Sequence, residues 1–153
     1  MKKIICFSIF YLLFISCQSQ KTNVNSAKNI ESSSDDKNYF LGNWKLIERN
    51  YRDENNKKAY PLHECEKKYS LTFEKENTAV FLTKNYVAGK NCEIKSNSGK
   101  IIITINEGSF SYLDLDLKVN ERYKIISKSK FSITYNEILE GKVREIEDVY
   151  VRL

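Results

Sequence analysis

The chain has 153 residues, 41% hydrophobic and 29% charged, with one Pro and five Gly. That is room for one modest domain, and it excludes collagen-like and proline-rich chains. The net charge is +5, and setting Lys2 and Lys3 aside leaves 23 basic against 20 acidic residues, or +3, too small and too evenly spread for nucleic acid. A solvated, mixed-charge surface is the ordinary reading, and contact with anionic headgroups the weaker one.

The chain opens on Met1-Lys2-Lys3, followed by an apolar run from Ile4 to Ile15. Roughly a dozen apolar residues are too few to span a bilayer and suit the core of a signal peptide. The run ends in Phe14-Ile15-Ser16-Cys17. A small residue just before a cysteine there resembles the bacterial lipoprotein signal, although Phe14 stands where that family usually has Leu. The resemblance implies a signal peptide over residues 1–16, with Cys17 diacylated as the mature N-terminus. An ordinary secretory signal with an incidental cysteine is the alternative. Lipid anchoring implies the bacterial cell envelope, at the outer membrane, and two or more acyl chains hold stably where one is marginal. Residues 17–38 are polar, with Val24, Ala27 and Ile30 the only apolar side chains after Cys17, and read as a disordered tether. About 20 flexible residues reach roughly 25 Å.

From residue 39 to 153 alternation at period two dominates. The first strand runs through Phe40-Leu41-Gly42-Asn43-Trp44-Lys45-Leu46-Ile47, with Trp44 and Leu46 on one face and Lys45 and Arg49 opposite. Arg52 to Lys58 reads as a polar turn. Tyr69, Leu71 and Phe73 point inward, and Val80, Phe81 and Leu82 carry the partner strand. Cys92 to Lys95 alternates again before a turn at Ser96-Asn97-Ser98-Gly99. Ile101 to Ile105 is apolar on both faces. Ser109 to Val119 reads as one strand, with Leu113, Leu115, Leu117 and Val119 on one face and Phe110, Tyr112, Asp114 and Asp116 on the other. Asn120-Glu121 is the next turn. Short strands follow at Tyr123 to Ile126, Phe131 to Asn136 and Val143 to Leu153. No segment carries a helical stripe. Eight or nine short strands predict an all-β fold, an antiparallel up-and-down barrel of about eight strands, with a β-sandwich as the alternative. Closure would remove the exposed edges of such a sheet.

Leu41-Gly42-Asn43-Trp44-Lys45-Leu46 is similar to the Gly-x-Trp opening of lipocalins. Cys65 before Tyr69-Ser70-Leu71-Thr72-Phe73, then Cys92, and the late Tyr123-Lys124-Ile125 fit the same pattern. Residues 39–153 resemble the bacterial lipocalin-like domain family, small Bacteroidetes lipoproteins among them. The resemblance implies a tryptophan packed at the closed end of a barrel under an arginine of the last strand. Arg152 matches best and Arg144 second. It also implies a small hydrophobic molecule held between the strands, with Leu71, Phe73, Phe131 and Ile133 as candidate lining. Short length leaves no room for a C-terminal helix and argues against a spacious cavity.

Cys65 and Cys92 remain once Cys6 and Cys17 are accounted for, an even pair in an oxidising compartment. A disulfide is the first reading, with free thiols or a metal site as alternatives. His63 is the only histidine, and His63-Glu64-Cys65 lacks a second ligand at suitable spacing, so no metal is expected. With one histidine, no phosphate loop and no His-Glu-x-x-His, neither catalysis nor a cofactor is expected. Asp114 and Asp116 could seat a cation, but a solvated face is the plainer reading. Three functions follow: a tethered monomeric binding protein, a filled barrel serving as an envelope interaction module, and, least favoured, an enzyme.

Overall fold

The computed structural model describes residues 35–54 and 56–153; the signal segment, Cys17 and nearly all of the tether lie outside them. Alternating side chains build ten strands: β1 (Gly42–Asp53), β2 (Asn56–Tyr60), β3 (Ser70–Glu76), β4 (Ala79–Ala88), β5 (Ile94–Asn97), β6 (Ile101–Asn106), β7 (Ser109–Asp114), β8 (Leu117–Ser127), β9 (Lys130–Leu139) and β10 (Lys142–Arg152). Eight close into an antiparallel ring, β1-β3-β4-β6-β7-β8-β9-β10, with β10 pairing back onto β1. That last pairing makes the molecule a barrel and removes the sandwich alternative. β2 and β5 stand beside the ring, on β1 and β4.

The ring is not uniform. β1 pairs with β3 only over Gly42 to Lys45, and β4 with β6 only over Val80 to Leu82. Both seams part toward the same end, where β2 and β5 take up the freed stretches of β1 and β4. The barrel is therefore open at that end. The opposite end is plugged by a short helix, α1 (Asp35–Phe40). Tyr39 donates its hydroxyl to the carbonyls of Ser127 and Lys130, at 2.7 and 2.9 Å. Phe40 drops into the barrel and meets Phe73, Phe110, Tyr123 and Phe131. Five aromatic rings thus fill the lower barrel, at the 4.5–7 Å spacings that edge-to-face contacts prefer.

Four sequence expectations need correction. Phe40 does not belong to the first strand; the chain turns at Gly42, whose φ of +113° suits glycine. A Cβ there would also lie 3.3 Å from the Arg152 guanidinium. Second, the polar stretch from Arg52 to Lys58 is not turn alone: it holds the end of β1 and the start of β2, which pair as a hairpin. Third, the strand read over Ser109 to Val119 is two strands that reverse at Leu115-Asp116, with Asp114 opposite Leu117. Phe110 and Tyr112 point into the barrel, while Leu113, Leu115 and Leu117 are 65, 93 and 73% exposed. The leucine stripe imitates an inward face. The turn carries no Gly or Asn to announce it, and Leu115 sits at φ 53°, a left-handed conformation rare for such a side chain. The expected turn at Asn120-Glu121 is instead the middle of β8.

Cys65 and Cys92 are joined in a disulfide, with 5.0 Å between their Cα atoms. It fastens the β2–β3 connection to the β4–β5 turn beside the open end. Breaking the link, by Cys65→Ala with Cys92→Ala, is expected to cost about 3 kcal/mol, the entropy of a loop of this length. Urea unfolding should show the same midpoint shift in the wild type under reductant. An unmoved midpoint in both would mean the bridge constrains little.

Candidate functional site

A bulge decides which side chains reach the open end. β1 and β10 pair Trp44 with Arg152 and Leu46 with Tyr150, then slip by one residue at Ile47. One extra residue exchanges the faces of a period-two strand. Arg49 therefore lies opposite Asp148 and faces the barrel interior, not the outer surface that parity with Trp44 assigns it. Nothing in Leu46-Ile47-Glu48 marks a bulge, so sequence reading missed this residue.

Asp148 grips the Arg49 guanidinium with both oxygens, at 2.6 and 2.9 Å, and Glu66 takes a third contact at 2.8 Å. Tyr135 donates to Asp148 at 3.2 Å. Across the opening stands a second group. Lys84 donates to Tyr112 at 2.6 Å and to Glu121 Oε1 at 3.1 Å, and the Tyr112 hydroxyl donates to the same Oε1 at 2.8 Å. Lys84 continues the inward phase of Val80 and Leu82, and Glu121 that of Tyr123. A charge in phase with core residues was the available signal. The misplaced turn at Asn120-Glu121 concealed it for Glu121.

Between the two groups lies a cup of about 230 Å³, its floor and walls completed by Leu71, Ile133, Tyr150, Tyr69 and Tyr86. Drug-sized sites occupy roughly 300–1,000 Å³, so this cup suits a smaller molecule. Burial pushes the Tyr112 and Tyr135 hydroxyls well up, with the neighbouring charges of Glu121 and Asp148 adding to it. Burial, then Glu121, raises Tyr86 likewise. All three stay protonated donors at neutral pH.

Of the residues expected to line a site, Leu71 and Ile133 border the cup. Phe73 and Phe131 lie in the filled aromatic layer below it, fully buried. At the plugged end Trp44 is buried beneath Arg152, whose guanidinium is 4.2 Å from the ring centroid and donates to the carbonyls of Leu41 and Tyr39. Trp44 Nε1 donates to the Phe40 carbonyl at 2.6 Å. Arg144 lies at the other end of β10, bound to Asp53 and over the Tyr51 ring.

An eight-stranded ring closed by its last strand, with a tryptophan under an arginine at the plugged end, is now in view, and residues 40–139 match the lipocalin-like domain family. The chain belongs to that family. No curated protein matches it. The matched span of this lipocalin-like barrel ends with β9, so β10, which brings Asp148 and Arg152, lies beyond it. Lipocalin-like proteins are generally non-enzymatic, and the fold is one suited to small-molecule binding.

His63 gathers with Cys65 and Cys92, their ligand atoms within 4.8 Å of one another. The sulfurs are bonded to each other, so no thiolate is on offer and the group does not fit a metal.

The rim of this lipocalin-like barrel carries one more ionic cluster, where Asp53 accepts from Lys58 at 2.5 Å and from Arg144. The Lys58 hydrogen bond, then that of Arg144, holds the Asp53 carboxyl down to about 2 from its ordinary 3.8. A depressed carboxylate favours the fold above its ordinary value, and that contribution fades as pH falls from about 4 toward 2. Carbon-detected NMR should place the Asp53 midpoint near the lower figure and move it upward in Lys58→Met. A midpoint unchanged by that substitution would rule out the lysine as the main cause.

Proposed function

We propose that the protein is a lipid-anchored, monomeric binding protein of the bacterial envelope that holds one small molecule in the mouth of its barrel. One observation carries this reading: an otherwise filled barrel keeps a cup walled by Arg49, Asp148, Lys84 and Glu121 where apolar side chains would pack. Ion pairs withdrawn from water are often no more stabilising than a hydrophobic filling. Departures from the rules of core packing concentrate at functional sites. The ligand is smaller and more polar at one end than a barrel-filling lipid, because the aromatic layer from Phe40 to Phe131 occupies the depth such a molecule needs. Binding, not catalysis, is the role of the cup. Anchoring rests on Cys17 and its flanks, and the outer membrane is the proposed location.

Native mass spectrometry of protein purified from its own membranes tests the reading. A co-purifying species of a few hundred daltons or less is expected, lost when Ile133→Trp fills the cup. A bare protein mass in gentle conditions would count against it.

A second reading, an envelope interaction module, is favoured by a groove of about 770 Å³ on the outer face of β6 and β7. Ile102 and Leu113 stand exposed there between Lys100 and Lys118. It requires self-association in sedimentation velocity that Leu113→Lys abolishes.

A further inference from the structure

Resting on the lipid anchoring proposed above, we infer that the open end of the barrel docks on the bilayer, through two hairpin tips that insert apolar side chains among the lipids. The β7–β8 tip carries Leu113, Leu115 and Leu117, and the β9–β10 tip carries Ile138 and Val143, each of these two 72% exposed. Ile138 and Val143 lie opposite one another across their hairpin. β8 and β9 pair from Arg122 and Thr134 toward the plugged end, so both tips extend past that pairing on neighbouring strands of the ring. Apolar side chains stand in water at a cost, and their grouping at one end of a molecule marks a surface that is covered in use.

Leu115 adds a second observation. It is 93% exposed, and its backbone at φ 53° occupies a region that Gly, Asn and Asp enter far more readily. An asparagine there would relieve both the strain and the exposure. Leucine bears both costs, and backbone strain of this kind gathers at functional surfaces.

Chain length admits a membrane as the occupant. The polypeptide enters the barrel at the plugged end, through α1. The 17 residues between Cys17 and Asp35, fully drawn out, cover at most about 60 Å. The 11 residues of β10 cover about 36 Å. An anchor at Cys17 therefore reaches a bilayer lying against either end, and the side chains choose between them. The plugged end offers Ile126 and Leu153 beside Lys128 and Lys130, a surface fitted to anionic headgroups. The open end sets its five apolar side chains among Asp114, Asp116, Glu137 and Glu140, with Lys118 and Lys142. More acid than base on these tips leaves apolar burial, not attraction to anionic lipid, as the force that holds them. Docked so, the cup opens toward the lipid surface.

The test uses the full chain with its acyl anchor, reconstituted in phosphatidylcholine vesicles. Bimane is placed on the tip by Asp116→Cys, which leaves the leucines intact, or at the plugged end by Lys128→Cys. Doxyl-labelled lipid should quench the tip label at least about threefold more than the other. Leu115→Asn with Leu117→Asn should remove that difference, and asparagine suits the backbone at position 115, so the variant should fold. Stronger quenching at the plugged end, or quenching at the tip that needs phosphatidylglycerol, overturns the inference. So does a tip label that doxyl lipid leaves bright, whether aqueous iodide reaches it or a second copy of the chain shields it. A tip label still quenched without the leucines shows the dye, not the protein, entering the lipid, and overturns it too. Protein that floats with the vesicles but shows no tip quenching rejects the docking and leaves the anchor standing. Protein that fails to float rejects the anchor, and the docking with it.

Discussion

Phe40→Ala is expected to remove about 4 kcal/mol of stability, the usual range for a fully buried Phe being roughly 3–5. The residue is inaccessible to solvent, and its ring centroid lies 4.7 to 5.6 Å from those of Tyr123, Phe110, Phe131 and Phe73. Truncation would open a void at the centre of the aromatic layer. It would also release α1, since six residues cannot sustain a helix without tertiary packing. Trp44 would then lose its carbonyl acceptor, and Arg152 two of its own. Phe40→Leu fills much of the volume and should cost less than about half as much. Urea unfolding with an unchanged slope is the measurement. A loss below about 1 kcal/mol would mean that the helix merely covers a barrel already closed beneath it.

Asp148→Ala is the second large effect, expected to cost about 3 kcal/mol. Removing one member of a buried pair typically costs 3–5 kcal/mol because the other charge is left without compensation. Here the side chains of Arg49 and Asp148 are 15% and 5% exposed, so solvent relieves little of the loss. Glu66 remains on Arg49 at 2.8 Å, which places the cost at the lower end of the range. Tyr135 would lose its acceptor as well. The double change Arg49→Met with Asp148→Leu should recover most of the stability, since well-packed apolar replacements of buried pairs are often neutral or better. It would also abolish the polarity of the cup. A double variant as unstable as the single one would show that the pair, not the uncompensated charge, supplies the stability.

Much of the barrel was legible along the chain. Leu71, Phe73, Val80, Leu82, Phe131 and Ile133 alternate in phase, and all are buried in the structure. The turn marked by Ser96-Asn97-Ser98-Gly99 was found, and Gly99 there takes positive φ. The reversal at Leu115 was not, because leucine has no turn preference, no Gly or Asn stands beside it, and its leucines mimic an inward stripe. The cup was nearly invisible. Arg49 was assigned to the wrong face, Glu121 to a turn, and neither Lys84 nor Asp148 was singled out.

Side-chain direction in a strand depends on backbone geometry one residue at a time, so period-two alternation is written into the chain. It determined that this protein is a β structure with an apolar interior, and the spacing of its cysteines allowed the bridge. Tertiary structure alone decided the closure of β10 onto β1, the slip at Ile47 and the two short seams. Each depends on which backbone lies alongside, and no local preference encodes that. The site inherits the same dependence: Arg49 meets a carboxylate 99 residues away, and Lys84 one 37 residues away. Pairing across such distances exists only once the sheet has closed.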